Sequence, residues 1–238
     1  MPKGLLAIIP ARGGSKRIPE KNIREFCGQP LIAYTILAAF ESKIFNNVIV
    51  STDSSKIKEI AEAFGAEVPF LRSSDISDDH TPVSAATVDA LERIDPQGVE
   101  YSHVCQLMAN CPLRTSEDII NSYQQFTATG ADAQISVNRY GWQNPWWAYE
   151  REDEFILKSL HEDMQKMRSQ DLPELFCPTG AIWWAKAEAL RKHKTFHIPG
   201  KSGWEMPWQR AIDIDTDDDW KLAELLFKLS GEHDINKH

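Results

Sequence analysis

Short apolar runs rich in valine and isoleucine alternate along the chain with stretches whose apolar residues recur every three or four positions. Leu5–Ala11 reads as a buried strand, and Pro30–Phe45 as a helix with apolar residues at helical spacing. Val48–Thr52 predicts a second strand, Ser54–Gly65 a helix closed by glycine, and Glu67–Leu71 a third strand. Pro82–Ile94 reads as a helix with proline in its first turn. His103–Met108 is a strand, Ser116–Thr129 a helix with an acidic first turn, and Ala133–Val137 another strand. Such alternation predicts an α/β fold with a mostly parallel sheet covered on both faces. In sheets of this kind ligands sit beyond the carboxyl ends of the strands.

The rhythm breaks after Asn138. The stretch 138–180 holds Trp142, Trp146, Trp147 and Tyr149, then a charged, hairpin-like Glu150–Lys158. These aromatics either cap the sheet or belong to a protruding dimerisation element, since aromatic side chains are enriched in interface cores. Gly180–Ala185 predicts a returning strand and Thr216–Leu229 a closing helix, with a polar, frayed tail over 232–238. The expectation is a single domain over 1–238, with 138–180 as an inserted element.

Composition narrows the setting. The chain has 238 residues, 42% hydrophobic and 26% charged, as in ordinary globular proteins. The longest mostly apolar stretch, Leu31 to Phe40, is about half the ~20 residues a bilayer needs. The short apolar run Leu5–Ile9 leads into Pro10 and Arg12 rather than a cleavage site, so no signal peptide is expected. Cys27, Cys105, Cys111 and Cys177 show no CxxC pair and no zinc spacing, which suits reduced thiols in a cytoplasmic protein. A net charge of −9 argues against nucleic acid or an anionic membrane as partner. An anionic ligand must therefore be caught by a local basic island.

That island follows the first strand: Arg12, Gly13, Gly14, Ser15, Lys16, Arg17, Ile18, Pro19, Glu20, Lys21, Asn22. Glycines let the backbone approach a ligand closely, and their N–H groups can point at phosphate oxygens. Lysines and arginine then neutralise the phosphate charge. The pattern is neither a P-loop nor a dinucleotide fingerprint. Near the other end stands Asp213-Ile214-Asp215. In extended backbone, residues two apart face the same side, and two hard carboxylates converging there suit Mg²⁺ together with substrate phosphates. Thr216 reads as a helix N-cap with Asp219 three residues on, so Asp217, Asp218 and Asp219 are assigned to capping and the helix dipole.

Several segments together resemble the acylneuraminate cytidylyltransferases, also called CMP-nonulosonate synthetases. They are IPARGGSKRIPEKN at 9–22, VIVSTD at 48–53, CPLR at 111–114, RSQDLP at 168–173, PTGAI at 178–182 and DIDT at 213–216. The resemblance implies a Rossmann-like three-layer nucleotidyltransferase domain with a small protruding dimerisation element. It also implies a homodimer, Mg²⁺ dependence, and transfer of CMP from CTP to a nine-carbon keto-sugar acid. Carried over, Arg12, Gly13, Gly14, Ser15, Lys16, Lys21, Asn22, Arg72 and Met108 fall at CTP. Asp213 and Asp215 fall at the metal, and Arg168, Gln170 and Thr179 near the sugar acid. Arg12, Lys16, Lys21, Asp213 and Asp215 would carry the catalysis.

The sequence departs from the sialic acid members at Met108, where they carry a glutamine that reads cytosine; a thioether cannot make those hydrogen bonds. Gln106 lies two residues earlier on the same strand face. The segments Asp79-His80-Thr81-Pro82 and Arg168-Ser169-Gln170-Asp171 look like the pseudaminic acid branch, and Pro178–Ile182 like the sialic and legionaminic acid branches. His80 is a further candidate for touching the sugar acid. Rival readings are a nucleotide-sugar glycosyltransferase using Asp213 and Asp215 as a DxD metal site, a 3-deoxy-octulosonate cytidylyltransferase, or a nucleotide-binding protein without turnover.

Overall fold

The computed structural model describes residues 4–73 and 81–231; Asp79 and His80 of the sequence reading lie outside them. The strands are β1 (Gly4–Pro10), β2 (Glu25–Phe26), β3 (Gln29–Pro30), β4 (Asn47–Ser51), β5 (Tyr101–Gln106) and β6 (Ala133–Arg139), then β7 (Tyr149–Arg151), β8 (Leu157–Ser159), β9 (Phe176–Lys186) and β10 (Ser202–Glu205). The α-helices are α1 (Leu31–Ser42), α2 (Ser55–Ala63), α3 (Val83–Ile94), α4 (Ser116–Thr129), α5 (Ala187–His193) and α6 (Asp217–Leu229).

Among the described residues, six strands form the main sheet in the order β10-β6-β9-β5-β1-β4. β1 runs parallel to β4 and β5, β10 runs parallel to β6, and β9 is antiparallel to both its neighbours. The sheet is thus mostly parallel, and β9 alone is reversed. The pleat sends successive residues to opposite faces. Ala7, Ile9, Val48 and Val50 pack with α1, α2 and α4, whereas Leu6, Ile8 and Ile49 pack with α3 and α5. Helices therefore cover both faces, as the strand–helix alternation predicts.

Caps account for several boundaries. Ser54 accepts from the Ile57 N–H at the start of α2, and Thr115 forms a reciprocal capping box with Asp118 at α4. The third predicted strand, Glu67–Leu71, is a correction: it reduces to isolated bridges of Glu67 to Ile49 and Leu71 to Thr52. Pro69 sits in the middle of that run and has no N–H to give to a ladder. Helix α1 also stops earlier than Phe45, at Lys43 in left-handed conformation. The seven-residue α5 and the edge strand β10 were not anticipated.

The 138–180 stretch leaves the sheet between β6 and β9, whose ladder runs out to Arg139 and Phe176. Beyond it β7 and β8 form a small antiparallel hairpin. Trp146 and Trp147 bind the excursion to itself rather than capping the sheet, their indole N–H groups donating to the carbonyls of Pro173 (2.8 Å) and Met164 (3.2 Å). Trp142, Tyr149, Phe155, Ile156, Leu157 and Leu160 stay exposed.

A further apolar cluster joins the two ends of the chain. Ile18 from the basic loop, Phe26 and Leu31 pack with Ile214 and with Trp220, Ala223 and Phe227 of α6. Phe26 meets Tyr34, Trp220 and Phe227 edge-on at 5.4, 5.6 and 5.7 Å between ring centroids. The β2–β3 turn that delivers Phe26 has both central residues at positive φ, Cys27 at 47° and Gly28 at 95°, as a type I′ hairpin turn requires. Ile214 is fully buried, so replacing it with alanine removes core contacts with little room for collapse. Ile214→Ala is expected to lower the unfolding free energy by about 2–5 kcal/mol, read from denaturant melts; a loss under about 1 kcal/mol would show that the two ends dock independently of this residue.

Candidate active site

The strands β1, β4 and β5 all end at one edge of the sheet, and a cleft of about 470 Å³ opens there. Pro10 ends β1 and gives way to the basic loop, of which Arg12, Ser15, Lys16, Arg17, Lys21 and Asn22 line the cleft. Arg72 comes from the segment after β4 and α2, Thr81 to Val83 and Ala86 from the start of α3, and Met108 to Asn110 from the end of β5. Asp215 closes the ring from the far end of the chain. The cationic loop and at least one of the paired aspartates thus share one cavity.

Hydrogen bonds hold the loop in place. The Gly13 N–H donates to Asp53 Oδ1 at 2.8 Å, and the Ser15 N–H donates to the Gly13 carbonyl at 3.0 Å. This corrects the sequence reading that Gly13 offers its N–H to phosphate; it anchors the loop to the Val48–Asp53 segment instead. Neither Gly13 nor Gly14 is among the cleft-lining residues. Asn22, nearly buried, donates to the Arg12 carbonyl at 3.0 Å and so fixes the loop's closure. Arg72 is 6% exposed, donates to the Ser51 carbonyl at 3.2 Å, and has its pKa lowered mainly by burial. It remains charged.

The acidic segment meets this loop directly. Lys21 Nζ donates to the Ile214 carbonyl at 2.7 Å and to Asp215 Oδ1 at 2.9 Å, while Arg17 Nη2 pairs with Asp215 Oδ2 at 2.8 Å. Both oxygens of Asp215 are therefore held by cations. Asp213 stands beside the cleft rather than among its lining residues and accepts a hydrogen bond from Asn110, which does line it. Ile214 between them points into the core. Desolvation of the Asp213 carboxyl, followed by the Asp215 charge, pushes its pKa up to about 6 against the pull of Lys21 and Asn110. The next three aspartates divide their roles. Asp219 completes a capping box with Thr216, Asp217 pairs with Arg24 at 3.3 Å, and Asp218 pairs with Lys221 at 3.1 Å. Thr216 is the cap and Asp219 its partner in the box; Asp217 and Asp218 take no part in it.

Other residues fall away from the cleft. Gln106 is fully buried, with Oε1 accepting from the Thr87 hydroxyl at 2.7 Å and Nε2 directed at the Met108 sulfur, 3.9 Å away. Met108 lines the cleft and Gln106 does not. Thr179 is buried on β9 against Ser136 Oγ at 2.7 Å, and Arg168 and Gln170 are exposed on the excursion. None of these three lines the cleft. Sequence reasoning passed over Arg17 and Asn110, although Arg17 stood inside the basic run and Asn110 beside CPLR. Arg114 of that motif is buried, donating to Thr35 Oγ1 at 2.6 Å and to the Met108 carbonyl at 3.3 Å, and so supports the floor under Met108. Burial raises the thiol pKa of Cys105 and Cys111 well above the usual range, so neither is a nucleophile at neutral pH.

The raised Asp213 pKa has a consequence for stability. Between its unfolded value of 3.8 and about 6 the folded protein binds the proton more tightly than the unfolded chain. Ionising Asp213 therefore costs stability, a cost that begins near pH 3.8, is complete above about pH 6 and is screened because solvent reaches the residue. In metal-free protein, Asp213→Asn is expected to raise the Tm more at about pH 8 than at about pH 4. Equal effects in the two melts would contradict the placement of this carboxyl.

A family model described as cytidylyltransferase matches residues 6–144. The pseudaminic acid cytidylyltransferase of Campylobacter jejuni strain 81-176 is 35% identical over 229 residues, covering 95% of this chain and 97% of the relative. The CMP-N,N'-diacetyllegionaminic acid synthase of Legionella pneumophila is 34% identical over 230 residues, covering 96% and 98%. Among solved structures, a CMP:2-keto-3-deoxy-manno-octonic acid synthetase complexed with CTP superposes with a TM-score of 0.70 at 16% identity, over 96% of this chain and 100% of the other, a likeness of fold. With relatives this similar along nearly its whole length, the chain belongs to the cytidylyltransferase family.

Proposed function

We propose that the protein transfers CMP from CTP to a nonulosonic acid of the pseudaminic, legionaminic or sialic type, releasing pyrophosphate. The observation that carries this reading is the single cleft in which Arg12, Lys16, Lys21 and Arg72 face Asp215. Arg12, Lys16 and Lys21 suit the phosphates of CTP, and Ser15 and Asn22 shape the loop around them. The anomeric hydroxyl of the sugar acid attacks the α-phosphorus, the new P–O bond forming as the bond to the β-phosphate breaks, pyrophosphate leaving and the hydroxyl proton passing to solvent. Chemistry of this kind rests on positioning and charge neutralisation.

Asp213 and Asp215 fit Mg²⁺ by their donor set. They offer hard carboxylate oxygens, and among the described residues no group of three or more His, Cys, Asp or Glu side chains forms a closed metal cage. Remaining positions would fall to phosphate oxygens and water, the usual arrangement for Mg²⁺. Bound there, the ion would neutralise phosphate charge and polarise the α-phosphoryl group. Lys21 and Arg17, which hold Asp215, also line the cleft that would take the phosphates.

The exposed apolar side chains of the 138–180 excursion support a homodimer, and Arg168 and Gln170 on it would then contribute to the sugar-acid pocket across the interface. The four cysteines form no disulfide, which supports the cytoplasm as the compartment. Among the described residues no helix is long and apolar enough to cross a membrane.

Two experiments test the reading. A pyrophosphate-release screen with CTP and Mg²⁺ against pseudaminic, legionaminic and sialic acids and 3-deoxy-octulosonate should give turnover with a nine-carbon acid; turnover with 3-deoxy-octulosonate alone, or with none, would overturn it. Asp215→Asn should lower kcat about a hundredfold or more while the far-UV circular dichroism stays native. Near-normal turnover would remove Asp215 from the metal assignment.

A further inference from the structure

Asn110 ends the segment after β5 and is 6% exposed. Its Nδ2 donates to Asp213 Oδ1 and, at 3.1 Å, to the Ile214 carbonyl. Its own backbone carbonyl accepts from the Ile214 N–H at 3.0 Å. Backbone and side chain of one residue thus grip the Asp213-Ile214-Asp215 segment at successive points. The amide can face only one way, because the flipped form would set its oxygen against a carboxylate and a carbonyl. Its Oδ1 is buried and has no hydrogen-bond partner among the described residues. Buried polar atoms are normally satisfied, so leaving one open is a cost the fold accepts to aim the other end of the amide.

The arrangement sorts the two oxygens of Asp213. Asn110 occupies Oδ1, and Oδ2 lies on the side of Gly180, where an added Cβ would come within 3.2 Å. Gly180 is the residue that keeps this side open, since that Cβ would also meet Met108 Cγ at 2.8 Å. Without Asn110, Asp213 Oδ1 and the Ile214 carbonyl would both lose the donor that holds them.

We infer that Asn110 is a positioning residue for the divalent cation: it orients Asp213 and pins the chain between the two aspartates so that both can serve one ion. The inference rests on the reading of Asp213 and Asp215 as the metal-holding pair. Partners that orient metal ligands change affinity by about 10–100-fold when removed.

The test measures free Mn²⁺ by electron paramagnetic resonance in the presence of CTP, for wild type, Asn110→Ala, Asn110→Leu and Asp215→Asn. Both Asn110 variants should need about tenfold more Mn²⁺ for half-saturation. In parallel assays, raising Mg²⁺ should recover their pyrophosphate release. A purely structural role would lower the Tm without moving the Mn²⁺ midpoint. A folded Asn110 variant with the wild-type midpoint would overturn the inference while leaving the metal pair standing, and so would loss of fold in both variants. If Asp215→Asn also keeps the wild-type midpoint, the metal reading fails and the inference with it.

Discussion

The burial of Ile18 and Ile214 in one apolar cluster is the constraint on which the site depends. These residues lie near opposite ends of the chain, each flanked by charge: Arg17 before Ile18, and an aspartate on either side of Ile214. Placing both isoleucines in the same dry cluster leaves the flanking charges no choice but to emerge together at the sheet edge. The driving force is apolar and non-directional, while the precision comes from hydrogen bonds such as Lys21 to the Ile214 carbonyl. Salt bridges between exposed partners would not do this alone, since such pairs stabilise by under about 1 kcal/mol.

The electrostatics follow from that docking. Desolvation of Asp213, and after it the charge of Asp215 nearby, raises the Asp213 pKa. Lys21 and the Asn110 amide pull the other way, and Arg17 with Lys21 holds both oxygens of Asp215. Both cations also line the cleft, so the contact that holds Asp215 is made at the mouth of the same cavity.

Much of the fold was legible because its strands are short, β-branched and punctuated by caps. Thr216 is read as a cap from the sequence, and Ser54 and Thr115 mark their helix starts by the same kind of local hydrogen bond. The third strand was misread because its apolar alternation outweighed Pro69, although a missing N–H decides whether a ladder can form. The β2–β3 hairpin escaped notice because Cys-Gly is not a usual type I′ pair. At the site, the basic loop and the paired aspartates were visible as charge against an acidic background. Asn110 was not, since an asparagine declares nothing until its partners, more than 100 residues away, are in place. Gly13 shows the converse: a glycine in the expected spot gave its N–H to a neighbouring loop.

The route by which the excursion leaves the sheet has a consequence of its own. It departs and returns through Arg139 and Phe176, paired neighbours on a single ladder and tied further by the Arg139 guanidinium over the Phe176 ring. A segment hinged at one such point transmits little to the body it grows from. The ladder of β6 with β9 is complete without the tip, so the tip can change in length without displacing the sheet that carries the cleft.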